Sequence, residues 1–220
     1  MSTQHQVAVV TGASQGIGEG LVRGFLDRGY QVVANSRSIK PDPSANVVSV
    51  AGDISDPAVA DRVIGEAIEK FGRVDTLVNN AGIFLAKPFI EYTEADYAAV
   101  LAVNLGGFFH ISQRAIRQML KQGGGHVVNI TTTLVNQPVK GVPSALASLT
   151  KGGWMLSRDP WQSSTPTRES ASTRSHRASS RRRCMRPKRT SFSLDCIPWD
   201  EWEKSRKSSM RSCTWNRPDS

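Results

Sequence analysis

Apolar residues fall along this chain in two alternating rhythms. Gln6–Val10 (QVAVV) is a short continuous apolar run stopped by Thr11-Gly12, and such a run predicts a buried strand. From Glu19 to Arg28 the period changes: Leu21, Val22, Phe25 and Leu26 recur at helical spacing, and Gly29 ends the segment. Gln31–Asn35 (QVVAN) predicts a second strand, followed by a loop carrying Pro41 and Pro43, and Asn46–Ala51 (NVVSVA) a third. Pro57–Phe71 predicts a helix with Asp56 as N-cap, Pro57 in its first turn, and Val59, Val63, Ile64, Ala67 and Ile68 on one face. Asp75–Asn79 (DTLVN) reads as a fourth strand, Thr93–Lys121 as one long helix and His126–Ile130 (HVVNI) as a fifth strand. Strands apolar throughout and separated by amphipathic helices predict a parallel sheet covered on both faces. Right-handed crossovers make it a doubly wound, Rossmann-like α/β sheet.

The rhythm stops near Gly153, and the composition changes with it. Up to Lys151 the chain carries 13 Lys+Arg against 12 Asp+Glu; the last 69 residues carry 15 against 7, so they hold +8 of the net charge of +9. They also contain all three cysteines and all five tryptophans, but no valine. Their only Leu, Ile and Phe residues are Leu156, Phe192, Leu194 and Ile197, too few to form a core. The expected organisation is a domain over 1–153 and a basic low-complexity tail over 154–220, disordered or out of frame. No run of about 18 apolar residues exists, which excludes a membrane-spanning helix. The N-terminal MSTQHQ lacks the pattern of a secretory signal. Cys184, Cys196 and Cys213 lack metal-ligand spacing, the four histidines are scattered, and the body has no cysteine. No metal is expected, and the expected compartment is the cytoplasm.

Between the first strand and first helix stands Thr11-Gly12-Ala13-Ser14-Gln15-Gly16-Ile17-Gly18. A pyrophosphate held against the N–H groups that open a helix needs bare backbone there, because a β-carbon would block its approach. The TGxxxGxG spacing resembles the short-chain dehydrogenase/reductase family. Other residues agree in order: Asn79-Asn80-Ala81-Gly82 matches the family's NNAG, Asp53 its acidic residue beside the adenine, and Asn104 in Val103-Asn104-Leu105 its mid-helix asparagine. The resemblance runs from Gln6 to Gly153. It implies a dinucleotide held by Gly12, Ser14, Gly16, Ile17, Gly18, Arg37, Asp53, Asn80, Ala81, Gly82 and Lys151. At the end of the second strand, Asn35-Ser36-Arg37 offers no carboxylate for a ribose 2′-hydroxyl. A serine beside a guanidinium suits a 2′-phosphate, so NADP(H) is expected to be preferred, with NAD(H) possible.

In the resembled family a tyrosine transfers the proton while hydride moves. A lysine four residues later lowers the phenol's pKa and holds the ribose, a serine polarises the substrate oxygen, and the asparagine supports a water chain. Lys151 stands in the lysine's place, but position 147 is Ala147, with nothing to titrate. The serine's counterpart falls in Thr131-Thr132-Thr133, with Thr132 the expected hydroxyl donor. Ser144 and Ser148 are poor replacements, because an alcohol is far less acidic than a phenol and its arm is shorter. The expected catalytic set is therefore Asn104, Lys151 and Thr132. The implied activity is hydride transfer between NADP(H) and a small carbonyl or alcohol substrate, weak or lost in this chain. The second reading is a non-catalytic dinucleotide-binding protein.

After Lys151 the family would continue with the rest of a helix, a sixth strand, a substrate-covering segment and a seventh strand, none of which is recognisable. The fold is thus expected to be C-terminally incomplete. The genetic code offers a reason. Codons spelling residues 171–179 (ASTRSHRAS) can, one base away, spell RVNAVSPGV, similar to the family's sixth strand and the Pro-Gly after it. Residues 197–203 (IPWDEWE) can hide HPVGRMG, similar to a late family segment. A one-base loss near Gly153 explains the Arg, Ser, Trp and Cys excess without selection for a nucleic-acid-binding arm, the third and most distant reading. No nucleic-acid or membrane partner is expected. The family often pairs through its long helices, here around Glu94–Lys121, an assembly that loss of the last strands works against.

Overall fold

The computed structural model describes residues 5–156 and 193–197. The first strand, Val7–Thr11 (β1), is buried at every position, as a continuous apolar run must be when helices cover both faces of its sheet. It is followed by Gly16–Leu26 (α1), Gln31–Ser36 (β2), Val47–Ala51 (β3), Pro57–Phe71 (α2) and Thr76–Asn79 (β4). Glu94–Leu101 (α3), Phe108–Gln122 (α4), His126–Ile130 (β5), Ala145–Leu156 (α5) and Ser193–Ile197 (β6) complete the order.

All six strands are parallel, in the order β3-β2-β1-β4-β5-β6. The chain moves outward from β1 to β3, then crosses back to place β4 on the other side of β1. The doubly wound sheet follows, with its topological switch point between the carboxyl ends of β1 and β4. On one face, α2 and α4 pack Val59, Val63, Ala67, Ile111, Ala115 and Met119 against Val7, Val9 and Leu77. On the other, Leu21, Val22 and Phe25 of α1 cover Val10, Val32 and Val78.

The α2 boundaries coincide with those read from the sequence, because its start is chemically marked: the Asp56 carboxylate accepts from the Ala58 N–H, and Pro57 opens the helix. The α1 boundary differs. The helix begins at Gly16, inside the glycine turn, since Gln15 is extended and contributes no side-chain cap that would signal a start. The single helix expected over Thr93–Lys121 is corrected in the structure. Between α3 and α4, residues Ala102–Gly107 form a π-turn. A β-carbon on Gly107 would lie 2.8 Å from Ile54 Cγ2 and 3.1 Å from Ile54 O, so the turn brings bare backbone against the loop after β3.

Two elements run past the expected boundary at Gly153. Helix α5 continues to Leu156, and Trp154 is buried with its ring stacked on Phe108 at 4.7 Å. Ser193–Ile197 pairs with β5 from His126↔Ser193 to Ile130↔Ile197. This strand went unrecognised because Ser-Leu-Asp-Cys-Ile alternates polar and apolar types, unlike the continuous runs of the other strands. The rest of the basic segment, 157–192 and 198–220, lies outside the described residues, as do the codon-shift stretch 171–179 and all but Ile197 of 197–203.

Candidate functional site

The crevice at the switch point is closed at its base by one buried hydroxyl. Thr11 Oγ1, at the end of β1, donates to Val78 O at 3.2 Å and accepts from the N–H groups of Asn80 and Ala81, both at 3.1 Å. The Asn80 side chain answers in the other direction, its Nδ2 donating to Thr11 O at 2.9 Å and Gly12 O at 3.1 Å. Asn79 ties β4 onward, its Nδ2 donating to Ser112 of α4 at 2.9 Å and to Asn129 of β5 at 2.9 Å. Rigid strand ends thus present the glycine turn of β1 to the NNAG turn of β4.

A cleft of about 350 Å3 opens above them. Of the expected dinucleotide residues, Gly12, Ser14, Gly16, Ile17, Arg37, Asp53, Asn80, Ala81 and Gly82 line it. Gly12 has φ +65°, and a β-carbon on it would stand 2.9 Å from Ala81 Cα. Gly16 has φ +59° with open space beside it, where an approaching phosphate would meet the amides that open α1. Gly18 is not among the lining residues and has a different task. A β-carbon there would be 2.1 Å from Gly12 O, so its bareness lets α1 press onto the turn beneath the cleft.

At one end of the cleft, Asn35 Nδ2 donates to Val50 O at 3.0 Å and to Gly52 O at 3.2 Å, joining the ends of β2 and β3. Ser36, Arg37 and Ser38 line the wall there with Gly52, Asp53 and Ile54. Asp53 accepts from the N–H and the hydroxyl of Ser55 at 3.0 and 2.8 Å. The Ser55 N–H, its hydroxyl and the positive charge of Arg37 together hold the Asp53 carboxyl below the ordinary carboxylate range, outweighing the opposing effect of burial. Asp53 therefore stays ionised, and this end of the cleft offers both an acceptor and, at Arg37, a cation.

Beyond its other end, past Gly82, are the residues expected from the sequence to be catalytic, none of which lines the cleft. Asn104 lies in the π-turn and is fully buried; its Oδ1 accepts from Ile83 N at 2.9 Å, and its Nδ2 donates to Ile83 O and Thr150 Oγ1, both at 3.1 Å. Lys151 does not line the cleft itself. It reaches from α5 so that Nζ donates to Ile130 O at 3.0 Å, while Cε and Nζ lie 3.5 and 3.6 Å from where a Gly82 β-carbon would be. Burial pushes the amine down to about 8. Asn104, Lys151 and Gly82 are thus brought together. Thr132 is half-buried and caps the short turn Thr133–Val135, its Oγ1 accepting from Leu134 N at 3.4 Å, which leaves its own proton free to be donated. Ala147, one turn before Lys151, is 3% exposed, and its methyl is not among the groups lining the cleft. The Ser144 and Ser148 hydroxyls bond each other at 3.2 Å, and Ser148 also donates to Leu134 O at 3.3 Å.

Sequence reasoning did not single out Gln15, Ser38, Gly52, Ile54, Ile83 or Val103 as cleft residues, nor Thr11 and Thr150 as its internal ties. Ile83 had a signal, since it follows the NNAG turn directly. The others depend on which backbones approach one another. Among the described residues no group of three or more His, Cys, Asp or Glu side chains is placed to hold a metal, and no helix is long and apolar enough to cross a membrane.

A family model described as short chain dehydrogenase matches residues 6–153. The chain is 34% identical over 154 residues to a 2-dehydro-3-deoxy-D-gluconate 5-dehydrogenase of Dickeya dadantii, covering 66% of this chain and 60% of that protein. It is 31% identical over 144 residues to a 3-oxoacyl-(acyl-carrier-protein) reductase of Thermotoga maritima, covering 61% and 58%. The matches to these relatives thus span about 60% of their length. Among solved structures, a short-chain dehydrogenase/reductase from Serratia marcescens superposes with a TM-score of 0.65 at 29% identity, covering 74% of each chain. A 3-ketoacyl-(acyl-carrier-protein) reductase from Brucella melitensis, complexed with NADH, superposes at 0.66 and 27% identity, covering 72% of this chain and 70% of that one.

Proposed function

The chain belongs to the short chain dehydrogenase family, and from that premise we propose that it binds NADP(H) in the β1–β4 crevice, with residual or no hydride transfer to a small carbonyl substrate. One observation carries the reading: a cleft with bare backbone at Gly12 and Gly16, a Ser36-Arg37-Ser38 wall at one end, and Asn104 and Lys151 beside Gly82 at the other. The residues fit the dinucleotide, because Gly16, at positive φ, has open space beside the start of α1, while Gly12, also at positive φ, lets the turn close onto Ala81. The amides of Ser14 to Ile17 would hold its pyrophosphate at the N-terminus of α1. Asp53 would accept from the adenine, and Lys151 would hold a ribose hydroxyl. When bound, the reduced dinucleotide supplies hydride. Asn104 keeps the Ile83 peptide and α5 in register with the cleft. Thr132 has a hydroxyl proton with which to polarise a substrate oxygen. Ala147 supplies no phenol, and this is why turnover is expected to be weak. A cytoplasmic site of action accords with a body free of cysteine.

The preference for a 2′-phosphate rests on Arg37 with Ser36 and Ser38, and on the absence of a carboxylate at the end of β2. Fluorescence titration with NADPH and NADH tests it. Charge-assisted hydrogen bonds contribute about 1.5–3 kcal/mol, so Arg37→Ala is expected to weaken NADPH binding by about 10- to 150-fold and to leave NADH nearly unchanged. Equal weakening of both would overturn the preference.

A second reading concerns the segment after α5. The family match ends at Gly153, where the composition changes, and two later stretches decode to family-like segments one base away. These observations support an out-of-frame origin for that segment. The nucleotide sequence across codons 145–160 tests it: a one-base difference from closely related genes is the expected finding. An uninterrupted shared frame would defeat the idea.

A further inference from the structure

We propose that Lys151 is itself the proton donor of this chain, delivering to a carbonyl oxygen the proton that a phenol at position 147 would otherwise supply. The inference rests on the dinucleotide-binding reading above and extends it to the chemistry beside Gly82. Three observations on α5 carry it. Ala147 occupies the turn before Lys151 and has no ionisable group, so position 147 cannot itself supply the proton. The ammonium has three N–H donors, of which one is engaged among the described residues, toward Ile130 O at 3.0 Å. That single bond holds Nζ at the carboxyl end of β5, against Gly82 of the β4 turn, where open α/β sheets bind their ligands.

The alternatives in the neighbourhood are weaker acids with other engagements. Ser144 and Ser148 are alcohols bonded to each other and to Leu134 O. The groups that face Nζ are neutral: the Ile130 carbonyl from β5, Gly82 from the β4 turn, and the Trp154 ring of α5 at 5.5 Å from its centroid. Among the described residues no carboxylate contributes to its titration; burial lowers it to about 8, close enough to neutrality for an acid–base group. In a solvated lysine, with an ordinary value near 10.4, the ammonium would be a much poorer donor.

The step balances. Hydride from a reduced nicotinamide dinucleotide forms the new C–H bond at the carbonyl carbon. The π electrons of the C=O bond move to oxygen, which takes a proton from Lys151 Nζ. The N–H electron pair stays on nitrogen as a neutral amine, and water returns the proton before the next cycle.

The first test does not depend on turnover. Trace acetylation of the full chain across pH 6–11, read at Lys151 by peptide mass spectrometry, is expected to show a reactivity midpoint near 8. A midpoint above 10 would overturn the proposal. The second uses NADPH with 4-nitrobenzaldehyde as the probe carbonyl. Reduction is expected to fall tenfold per pH unit above about 8. Lys151→Arg keeps the charge and is expected to lose at least 100-fold of kcat together with the fall in rate above about pH 8, whatever it does to the KM for NADPH through the lost ribose contact. Added methylamine is expected to rescue Lys151→Ala in part. Wild-type turnover that is absent, or flat from pH 7 to 10, or retained in Lys151→Arg, sinks the donor role while leaving dinucleotide binding intact. Failure of the wild type to quench with NADPH instead removes the underlying reading, and this proposal with it.

Discussion

Gly18→Ala is expected to weaken NADPH binding at least a hundredfold, a loss of about 2.7 kcal/mol or more. The substitution adds one carbon where there is no room for it. Its β-carbon would meet Gly12 O at 2.1 Å, Asn80 Nδ2 at 2.7 Å and Gly12 C at 2.8 Å. Two of the three obstacles are backbone, so no rotamer change relieves the overlap. Gly12 has nowhere to retreat either, because it is pressed in turn against Ala81 and Asn80. The opening turn of α1 must therefore lift from the sheet, and the amides of Ser14 to Ile17 move with it. Overpacking of this kind costs about 1–3 kcal/mol of stability, so the protein is expected to remain folded with a Tm lowered by roughly 2–12 °C. Binding falls further than stability because the amides lose their convergence. Gly65→Ala provides the contrast. It lies on the exposed side of α2 with nothing within 4 Å of its added carbon, and it is expected to raise stability by about 0.5–1 kcal/mol without changing affinity. Fluorescence titration and thermal unfolding read both outcomes. Unchanged NADPH affinity in Gly18→Ala would mean that the α1 amides are not the binding element.

The contrast between these glycines shows what a one-dimensional pattern can convey. Spacing marked Gly12, Gly16 and Gly18 together, because all three belong to a turn that must admit a phosphate. Their separate tasks depend on which backbone lies opposite, and that is a property of the β1–β4 crossing. The strands were legible for a simple reason: β1, β2, β4 and β5 are buried at every position but the first of β2 and β5, so they read as short, largely apolar runs. The ends of α2 were legible because Asp56 and Pro57 are chemical markers, whereas α1 starts on an extended Gln15 without a side-chain cap. The π-turn at Ala102–Gly107 has no marker of its own. It arises where Gly107 backs onto Ile54, 53 residues earlier in the chain, and where Asn104 turns inward to Ile83. Lys151 was found through its register with Ala147, but its withdrawal from solvent depends on β5 and Trp154 closing around it. Chemistry set by local spacing could therefore be read, and chemistry set by approach could not.

Asn104→Ala tests that second kind, and it is expected to destabilise the protein by about 2–4 kcal/mol, lowering Tm by roughly 5–15 °C. The Asn104 side chain is fully buried and makes three hydrogen bonds, to Ile83 N, Ile83 O and Thr150 Oγ1. Alanine removes all three, leaving the part-buried Ile83 N–H and C=O and the buried Thr150 hydroxyl without this partner, and a polar group left unpaired away from water costs about 1–3 kcal/mol. Thr150→Val is the smaller lesion. The Thr150 hydroxyl accepts from Asn104 and donates to Leu146 O at 2.8 Å, so its loss leaves one amide proton without a partner while Asn104 keeps its grip on Ile83. Because the two side chains share a bond, the double variant should cost less than the sum of the single ones, by about 0.5 kcal/mol or more. The functional consequence follows the same bonds. Ile83 adjoins Gly82, and Gly82 lies against Lys151, so Asn104→Ala is expected to raise the KM for NADPH and also to blunt the alkaline fall in rate, because Lys151 gains access to water. A purely structural asparagine would lower Tm and leave the pH profile of the remaining folded enzyme unchanged. A Tm within about 1 °C of the wild type would show that the Ile83 peptide finds other partners, and the link from the π-turn to the cleft would then be lost.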